Sequence, residues 1–225
     1  MRLSASWAER FGRPEPKIVC VGLNYHDHAA EQGVAPPREP ALFAKLPNAL
    51  CESGAPIMLP TESEHVDAEA ELAIVIGRSA SRVSSDDALD FVAGYTCAND
   101  VSARDLQFRD AQWFRSKSFD SFCPIGPNLV PVAELGDASD LHIVQRINGA
   151  TLQDSRTSQL VFGVRSLVAF VSSVCTLEPG DLILTGTPAG VGWFREPRTR
   201  LCAGDVVDVE IEGIGVVRNP VERAR

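Results

Sequence analysis

Residues 66–77 read VDAEAELAIVIG and place three acidic residues, Asp67, Glu69 and Glu71, directly before an apolar run. The run at residues 72–76 contains only Leu, Ala, Ile and Val, which is typical of a buried strand. A carboxylate that enters a low-dielectric interior is costly unless a cation meets it. The stretch therefore predicts a buried strand with a charged site at its entrance.

Other short segments share this strand-like character, because they are dense in Val and Ile and are bounded by Gly, Pro, Asn or Asp. They are KIVCVGL (17–23), FVAGYTCAND (91–100), LHIVQRING (141–149), DLILTG (181–186) and DVVDVEIEGIGVVRNPV (205–221). In the last segment apolar and acidic residues alternate from residue 207 to 212, which is the period of a half-exposed strand.

Helix-like patterns are fewer and occur at residues 26–32, 84–91 and 166–175. Many strands with a few covering helices predict an α+β fold with a β-rich core, rather than regular βαβ alternation. The 225 residues are enough for one large domain, or for one domain and a short N-terminal element.

The composition excludes several classes of function. The formal net charge of −9 argues against a nucleic-acid surface, which needs clustered Lys and Arg. The N-terminus lacks a signal-peptide core and no run of about 18 apolar residues occurs, so we predict a cytoplasmic protein without a membrane segment. The six cysteines are scattered without a C-x-x-C pair, and we predict buried apolar side chains rather than zinc ligands or a nucleophile.

The acidic pair Glu69 and Glu71 is the first candidate site. Residues two apart in a strand point to the same face, with Cα atoms about 6.7 Å apart, so the two side chains can share one divalent cation. Hard oxygen ligands suit Mg²⁺, Mn²⁺ or Ca²⁺. The alternative is a solvated acidic face before the strand enters the core.

A second segment, GYTCANDVSARDLQ at residues 94–107, is another apolar strand that ends in an acid, Asp100. Together with Glu69 and Glu71 of a neighbouring strand, Asp100 would complete a site of three carboxylates. The alternative is an Asp that caps a strand-to-helix turn, which Asn-Asp pairs often do.

The third segment, VGLNYHDHAAEQG at residues 21–33, carries His28 and Glu31 three residues apart on one face of a predicted short helix. Glu31 can orient the imidazole so that His28 takes a proton from water, and such base catalysis contributes ~10²–10⁴-fold. His26 points elsewhere. The alternative is an exposed polar helix whose His has no role.

In combination and in this order, eight segments resemble the fumarylacetoacetate hydrolase family, over roughly residues 17–221. They are VGLNYHDHAAE, PALFAKLPNAL, EAELAIVIG, GYTCANDVSARDLQ, RSKSFDSFCPIGP, LQDSRTSQLVFGV, PGDLILTGTPAGVG and GDVVDVEIEGIGVVRNPV. The length is similar to that of the family's short members, which are acylpyruvases, oxaloacetate decarboxylases or tautomerases, and isomerases or hydratases of aromatic catabolism.

The resemblance implies a roll of mixed β-sheets of the family's C-terminal-domain type, in one catalytic domain at residues 17–225 after an N-terminal extension at residues 1–16. It also implies one Mg²⁺ or Mn²⁺ per chain, a small 2-oxo acid as substrate, and a homodimer. The family's metal ligands correspond to Glu69, Glu71 and Asp100, and its catalytic dyad corresponds to His28 and Glu31.

Four further positions follow from the resemblance. Lys117 corresponds to a catalytic pocket lysine, and Arg104, Gln107 and Thr187 correspond to substrate-binding residues. Each has an alternative that the sequence leaves open. Lys117 could pair with Asp120, Arg104 could pair with Asp105 or Asp100, and Thr187 lies in a turn whose glycines are needed for backbone shape alone.

A divalent cation that chelates a 2-oxo acid would stabilise an enolate at C3. We therefore predict hydrolytic C–C cleavage of acylpyruvates, such as fumarylpyruvate or acetylpyruvate, with oxaloacetate decarboxylation or tautomerisation as a side activity. One alternative is an isomerase or hydratase of 2-hydroxy-diene dioates. A second, from another class, is a non-catalytic protein that binds a dicarboxylate through its metal.

Overall fold

The computed structural model describes residues 15–224 as a succession of short strands with five short α-helices between them. The strands are β1 Ile18–Gly22, β2 Ala41–Lys45, β3 Leu50–Glu52, β4 Ile57–Leu59, β5 Val66–Asp67, β6 Ala70–Ile76, β7 Val92–Asn99, β8 Ser102–Ala103, β9 Cys123–Ile125, β10 Val130–Pro131, β11 His142–Ile147, β12 Ala150–Arg156, β13 Leu182–Leu184, β14 Val206–Ile211 and β15 Gly215–Arg223. The helices are α1 His26–Glu31, α2 Arg104–Arg109, α3 Phe114–Lys117, α4 Val132–Leu135 and α5 Val164–Val174. Single 3₁₀ turns lie at Pro47–Ala49, Ala88–Phe91, Thr157–Gln159 and Gly192–Phe194.

The strands form two mixed sheets and a small ribbon. The large sheet has the order β2-β1-β13-β6-β7-β9-β3, and β10 pairs with the side of β7. The second sheet has the order β12-β11-β14-β15-β4, and β5 pairs with β8. Strand β6 is antiparallel to both of its neighbours, β13 and β7, so it lies in the middle of the large sheet.

Strand β6 is buried along its whole length, as its apolar run predicts. Leu72 and Ile74 pack into one hydrophobic core together with Leu167 of α5, whereas Ala73 and Val75 belong to a second core. A strand with a core on each face must be apolar at every position, which accounts for the run after Glu71. The prediction of a β-rich α+β fold with curled mixed sheets is confirmed.

The helix predictions at residues 26–32 and 166–175 correspond to α1 and α5. The helix predicted at residues 84–91 is wrong for its first half. There the Ser84 hydroxyl accepts the backbone N–H of Asp87 and donates to its carboxylate, which closes a turn, and only the 3₁₀ turn Ala88–Phe91 follows. Ser and Asp side chains compete in this way with helical hydrogen bonds.

Three further expectations concern features outside the core. Within residues 15–224, no helix is long and apolar enough to cross a membrane. Four of the six cysteines are buried as predicted, whereas Cys175 is half-buried and Cys202 is exposed. Most of the predicted N-terminal extension, residues 1–16, lies outside the described residues, and the domain division at residue 17 stays a prediction.

Candidate active site

The entrance to β6 lies beside the end of β7, because the two strands are antiparallel and pair Ala70 with Asn99. Glu69 precedes β6, Glu71 is its second residue, and Asp100 follows β7. The backbone N–H of Asp100 donates to the carbonyl oxygen of Glu69 at 2.9 Å. One carboxylate oxygen of each acid lies within 4.8 Å of the other two, and all three residues are buried. We call these three residues the carboxylate cluster.

Three cationic side chains surround the carboxylate cluster. Lys117, the last residue of α3, donates its ammonium N–H groups to Glu69 Oε2 at 2.7 Å and to Asp100 Oδ2 at 2.6 Å. Arg104, the first residue of α2, donates through Nη2 to Glu69 Oε1 at 2.5 Å. The Lys45 ammonium at the end of β2 pairs with Asp100 Oδ1, and both of these side chains are fully buried. The buried carboxylates of Glu69 and Asp100 are therefore paired, as their burial requires.

A fourth carboxylate, Asp67, lies behind Arg104. Its Oδ2 accepts the Arg104 Nε–H at 3.1 Å and the backbone N–H of Trp193 at 3.0 Å, and its Oδ1 accepts the backbone N–H of Gly192 at 3.0 Å. Asp67 thus joins the guanidinium to the 3₁₀ turn that follows the glycine-rich loop. Four carboxylates and three cations leave the site with one net negative charge.

The two glutamates of the carboxylate cluster differ in their electrostatics. Burial alone would raise the pKa of Glu69, but Arg104 and Lys117 outweigh that effect and hold the pKa well below its usual range. Burial, followed by the charges of Asp100 and Glu69, raises the pKa of Glu71 well above its usual range. Glu71 is the acid whose ionised form the surrounding protein stabilises least.

The donor set of the carboxylate cluster fits a hard divalent cation. Glu71 Oε2 accepts the backbone N–H of Gly186 at 2.7 Å, and within residues 15–224 no basic side chain forms an ion pair with Glu71. A cation held by Glu69, Glu71 and Asp100 would supply that missing positive charge and change the net charge of the site from −1 to +1. Oxygen ligands alone are the set that Mg²⁺ and Mn²⁺ prefer.

His28 lies on α1, lines a cavity that the carboxylate cluster also lines, and is 4% exposed. The alternative interpretation, an exposed helix whose His has no role, is therefore wrong about the exposure of His28. The His28 Nδ1–H donates to Glu31 Oε2 at 2.8 Å, and Nε2 lies 2.8 Å from Gln32 Nε2. The ring of Phe194 meets the imidazole edge-on, with 5.8 Å between the ring centres. The imidazole is thus held by contacts on both of its nitrogens and along one edge.

The loop at residues 185–190 connects the dyad to the carboxylate cluster. The N–H of Gly186 donates to Glu71, while the N–H of Gly190 donates to Glu31 Oε1 at 2.8 Å. Gly190 has a φ of +103°, and a Cβ there would lie 2.2 Å from the carbonyl oxygen of Leu152. Only glycine fits this close approach, so the glycine-rich sequence GTPAG serves backbone shape as well as the site.

Thr187 lies in the middle of that loop and faces the cavity. Its hydroxyl donates to the Ala70 carbonyl at 3.0 Å and accepts an N–H from Gln153 Nε2 at 2.8 Å. Gln153 is fully buried on β12, and its Oε1 accepts the N–H of Ala70 at 2.8 Å. The second sheet therefore holds Thr187 against the entrance of β6.

The cavity above the carboxylate cluster has a volume of about 170 Å³ and two chemically different sides. The polar side includes His28, Gln32, Gln107 and Thr187 as well as the carboxylate cluster and its cations. The apolar wall consists of Val21, Leu23, Phe43, Phe108, Trp113 and Phe194. A small acid that binds its polar end to the floor would bring its other end to this wall.

The structure brings all nine predicted site residues together, although their roles stay predictions. Eight of them line the cavity, and Glu31 lies behind His28. The alternative pairings are wrong: Lys117 contacts two members of the carboxylate cluster instead of Asp120, and Arg104 contacts Asp67 and Glu69 instead of Asp105 or Asp100.

Sequence reasoning missed Lys45, Asp67, Gln32 and Gln153. The signal for Lys45 is its position at the end of the otherwise apolar strand ALFAK, where a lone cation needs a buried acid. Asp67 shares the acidic stretch before β6 but points to Arg104 instead of the cluster. No local pattern reveals the two glutamines. The partners of Gln153 lie on other elements, and Gln32 itself lies past the end of its helix.

The comparisons with known proteins agree with this geometry. Residues 17–222 match the family model described as fumarylacetoacetate (FAA) hydrolase C-terminal. The chain is 49% identical over 207 residues to the mitochondrial oxaloacetate tautomerase fahd2 of Xenopus laevis, covering 91% of this chain and 65% of that protein. The chain thus spans less than two thirds of that relative's length. A cytoplasmic location for this chain stays a prediction.

Two solved structures are also similar. The 2-hydroxyhepta-2,4-diene-1,7-dioate isomerase of Mycobacterium marinum is 45% identical, with a TM-score of 0.82, covering 93% of this chain and 76% of that chain. The fumarylpyruvate hydrolase of Pseudomonas aeruginosa, solved with Mn²⁺ and pyruvate, is 32% identical, with a TM-score of 0.84, covering 94% and 91% of the two chains.

Proposed function

We propose that this chain, which belongs to the fumarylacetoacetate hydrolase family, is an enzyme that moves a proton at C3 of a 2-oxo acid bound on a divalent cation. The observation that carries the proposal is that one cavity is lined by Glu69, Glu71 and Asp100 and also by His28, whose Nδ1 contacts Glu31. Keto–enol tautomerisation of oxaloacetate is the leading reaction, because the relative with 49% identity carries that name.

Mg²⁺ or Mn²⁺ held by the carboxylate cluster would act as a Lewis acid, which makes the C3 proton of a bound 2-oxo acid easier to remove. The protein's own residues account for the remaining steps. Glu31 accepts the Nδ1–H of His28 and thereby leaves the lone pair on Nε2, on the cavity side of the ring. In that tautomer His28 takes the proton from C3, which leaves an enolate, and then delivers it to the enolate oxygen to form the enol. The reverse transfer, from the enol oxygen to C3, forms the keto acid.

The cationic residues fit the anionic substrate. Lys117 and Arg104 line the cavity, and each still has N–H groups that no carboxylate of the described residues uses. Gln107 accepts an N–H of Arg104 through Oε1 at 2.9 Å, so its amide nitrogen stays free to donate to a substrate oxygen. These donors can bind the negative charge that moves onto oxygen during enolisation.

Hydrolysis of an acylpyruvate is the second candidate, and it is the reaction that the sequence alone favoured. The same lone pair on His28 Nε2 can take a proton from water as the water attacks the C4 carbonyl. The solved fumarylpyruvate hydrolase with Mn²⁺ and pyruvate supports this candidate. The isomerase from M. marinum supports a third, the isomerisation of 2-hydroxy-diene dioates. All three reactions share the enolate at C3.

One experiment separates the tautomerase from the hydrolase. Purified protein is incubated with Mg²⁺ or Mn²⁺ and one of three compounds: enol-oxaloacetate, acetylpyruvate or fumarylpyruvate. The enol absorbance is followed with time, and the products are identified by NMR. A tautomerase converts enol-oxaloacetate to the keto form without loss of carbon, and a hydrolase releases pyruvate. If none of these compounds turns over in the wild type and the Glu69→Gln variant binds Mn²⁺ as the wild type does, the proposal is wrong.

The family resemblance also leads us to propose a homodimer with one cation per chain. Sedimentation equilibrium of the purified protein would test the dimer, and titration with Mn²⁺ would test the stoichiometry.

A further inference from the structure

Gln32 contacts the base of the proposed reaction, and no role has yet been given to it. The residue follows α1 directly, and its backbone N–H donates to the carbonyl oxygen of His28 at 3.1 Å. Its side-chain Nε2 lies 2.8 Å from His28 Nε2, and its side chain lines the cavity. His28 and Gln32 therefore both border the space that a substrate would enter, and Gln32 contacts Nε2 of the base.

The hydrogen-bond roles at His28 follow from the partners of its two ring nitrogens. Glu31 can only accept, so His28 Nδ1 carries a proton. The amide nitrogen of Gln32 can only donate, so His28 Nε2 accepts with its lone pair. In this arrangement the lone pair that would act as the base is covered by an N–H group of Gln32.

The Gln32 side chain has little else to hold it. Within residues 15–224, its contact with His28 is the one hydrogen bond of its side chain, and the residue is half-buried at the end of a six-residue helix. Rotation of the amide would exchange Nε2 for Oε1 at the imidazole. A carboxamide can donate to a lone pair in one orientation and accept from an N–H in the other.

We propose that Gln32 is a positioning residue that follows the protonation of His28. Before reaction its N–H holds the Nε2 lone pair of the neutral imidazole, and the arriving substrate replaces that N–H. After proton transfer its rotated Oε1 accepts the new Nε2–H. This inference rests on the proposed function, since it concerns the same proton transfer.

The proton and electrons balance in this step. The C3–H bond breaks, its electron pair forms the C2–C3 double bond, and the π pair of the C2 carbonyl moves to the carbonyl oxygen. His28 Nε2 takes the proton and becomes an imidazolium, whose Nδ1–H still donates to Glu31. Gln32 Oε1 accepts from Nε2–H until that proton is delivered to the enolate oxygen, which restores the neutral base.

A pair of substitutions tests the inference. Gln32→Met keeps the length of the side chain but removes both hydrogen-bonding atoms. Gln32→Glu introduces a carboxylate, which can only accept hydrogen bonds. The matched control is Gln159→Met, at an exposed glutamine of a 3₁₀ turn. The proton transfer is measured as kcat and KM with enol-oxaloacetate, the imidazole state by ¹⁵N NMR of the ring nitrogens, and the cation site by Mn²⁺ titration.

In Gln32→Met we expect kcat to fall by about 10-fold or more, because a hydrogen bond to the charged imidazole is lost. KM and Mn²⁺ affinity should stay within about 2-fold of wild type, and the Nε2 resonance of His28 should shift. In Gln32→Glu the carboxylate can only accept from an Nε2–H, so the lone pair of the base is no longer available and turnover should be lost. Gln159→Met should match the wild type in every measurement.

The inference is wrong if wild-type protein turns over but Gln32→Met keeps the wild-type kcat, or if the Nε2 resonance is unchanged in that variant. A fall in kcat that is matched by an equal loss of Mn²⁺ affinity would also overturn it, because the effect would then come from the carboxylate cluster. Absence of turnover in the wild type would instead count against the proposed function. The NMR comparison would still test the Gln32–His28 contact in that case.

Discussion

Replacing Lys45 by Met should destabilise the protein strongly, although Lys45 does not line the cavity. The Lys45 ammonium is fully buried, where it pairs with Asp100 and donates to the Val101 carbonyl at 3.0 Å. Removing one partner of a buried ion pair costs about 3–5 kcal/mol, because the other charge stays buried. Asp100 keeps its contact with Lys117, so we expect a loss of stability at the lower end of this range, about 3 kcal/mol.

The loss is measured by urea unfolding of wild type and Lys45→Met in EDTA, with tryptophan fluorescence as the signal. An m-value of about 3 kcal/mol/M is at the upper end of the range for small proteins, and with it the midpoint should fall by about 1 M. Arg146→Met is the control, because the Arg146–Glu210 ion pair is partly exposed. Its effect should stay below about 1 kcal/mol.

A second variant identifies the cause of the loss. Adding Asp100→Asn to Lys45→Met removes one buried negative charge and restores the net charge that the site has in the wild type, so the double variant should recover about 1 kcal/mol or more. If Lys45→Met loses less than about 1 kcal/mol, or if the double variant is less stable than the single one, the pairing of Lys45 with Asp100 does not have the energetic role assigned to it.

Three further outcomes follow from the structure. Glu71→Gln should abolish Mn²⁺ binding in a calorimetric titration, because it removes the carboxylate for which a cation would be the counter-charge. At pH 8 a thiol reagent should modify the exposed Cys202 quickly and the buried thiols only after unfolding, since burial raises the pKa of Cys51, for example, to about 11 and leaves little thiolate. Gly190→Ala should cost at least about 2 kcal/mol in thermal unfolding, because its φ is +103° and its Cβ would lie 2.2 Å from the Leu152 carbonyl oxygen.

Each of these predictions has a contrary result. Calorimetric Mn²⁺ affinity that survives Glu71→Gln would place the cation elsewhere. Rapid modification of three or more thiols in the folded protein would contradict the burial of the four buried cysteines. A melting temperature unchanged by Gly190→Ala would show that the loop can move away from β12.

The central part of the fold could be predicted from the sequence because its signals are local. The apolar run after Glu71 indicates a strand that is buried on both faces, and β6 has a hydrophobic core on each side. The helix predicted at residues 84–91 failed at its start, where a hydrogen bond between Ser84 and Asp87 competes with helix formation. Local signals thus predict elements well where core packing and side-chain hydrogen bonding favour the same structure.

The candidate site was only partly predictable, for a physical reason. The acids of the carboxylate cluster lie next to strand ends that the pattern reveals, whereas Lys45 is 55 residues from the Asp100 that it neutralises. The order of the strands in the sheet decides which basic side chain pairs with which acid, and no spacing along the chain encodes these pairs. Gln32 was missed because a glutamine after a helix carries no pattern of its own.

The loop at residues 185–190 has a consequence for how this protein can change over evolution. Its two ends hold the carboxylate cluster and the His28–Glu31 dyad at one separation, through main-chain atoms that no side-chain replacement removes. The apolar wall comes from β1 and the residue after it, from β2, from α2 and the segment after that helix, and from the turn at Gly192–Phe194. Replacements in that wall can therefore alter which compound is accepted while the reacting geometry persists. A lineage that uses this scaffold can acquire new substrates without rebuilding its chemistry.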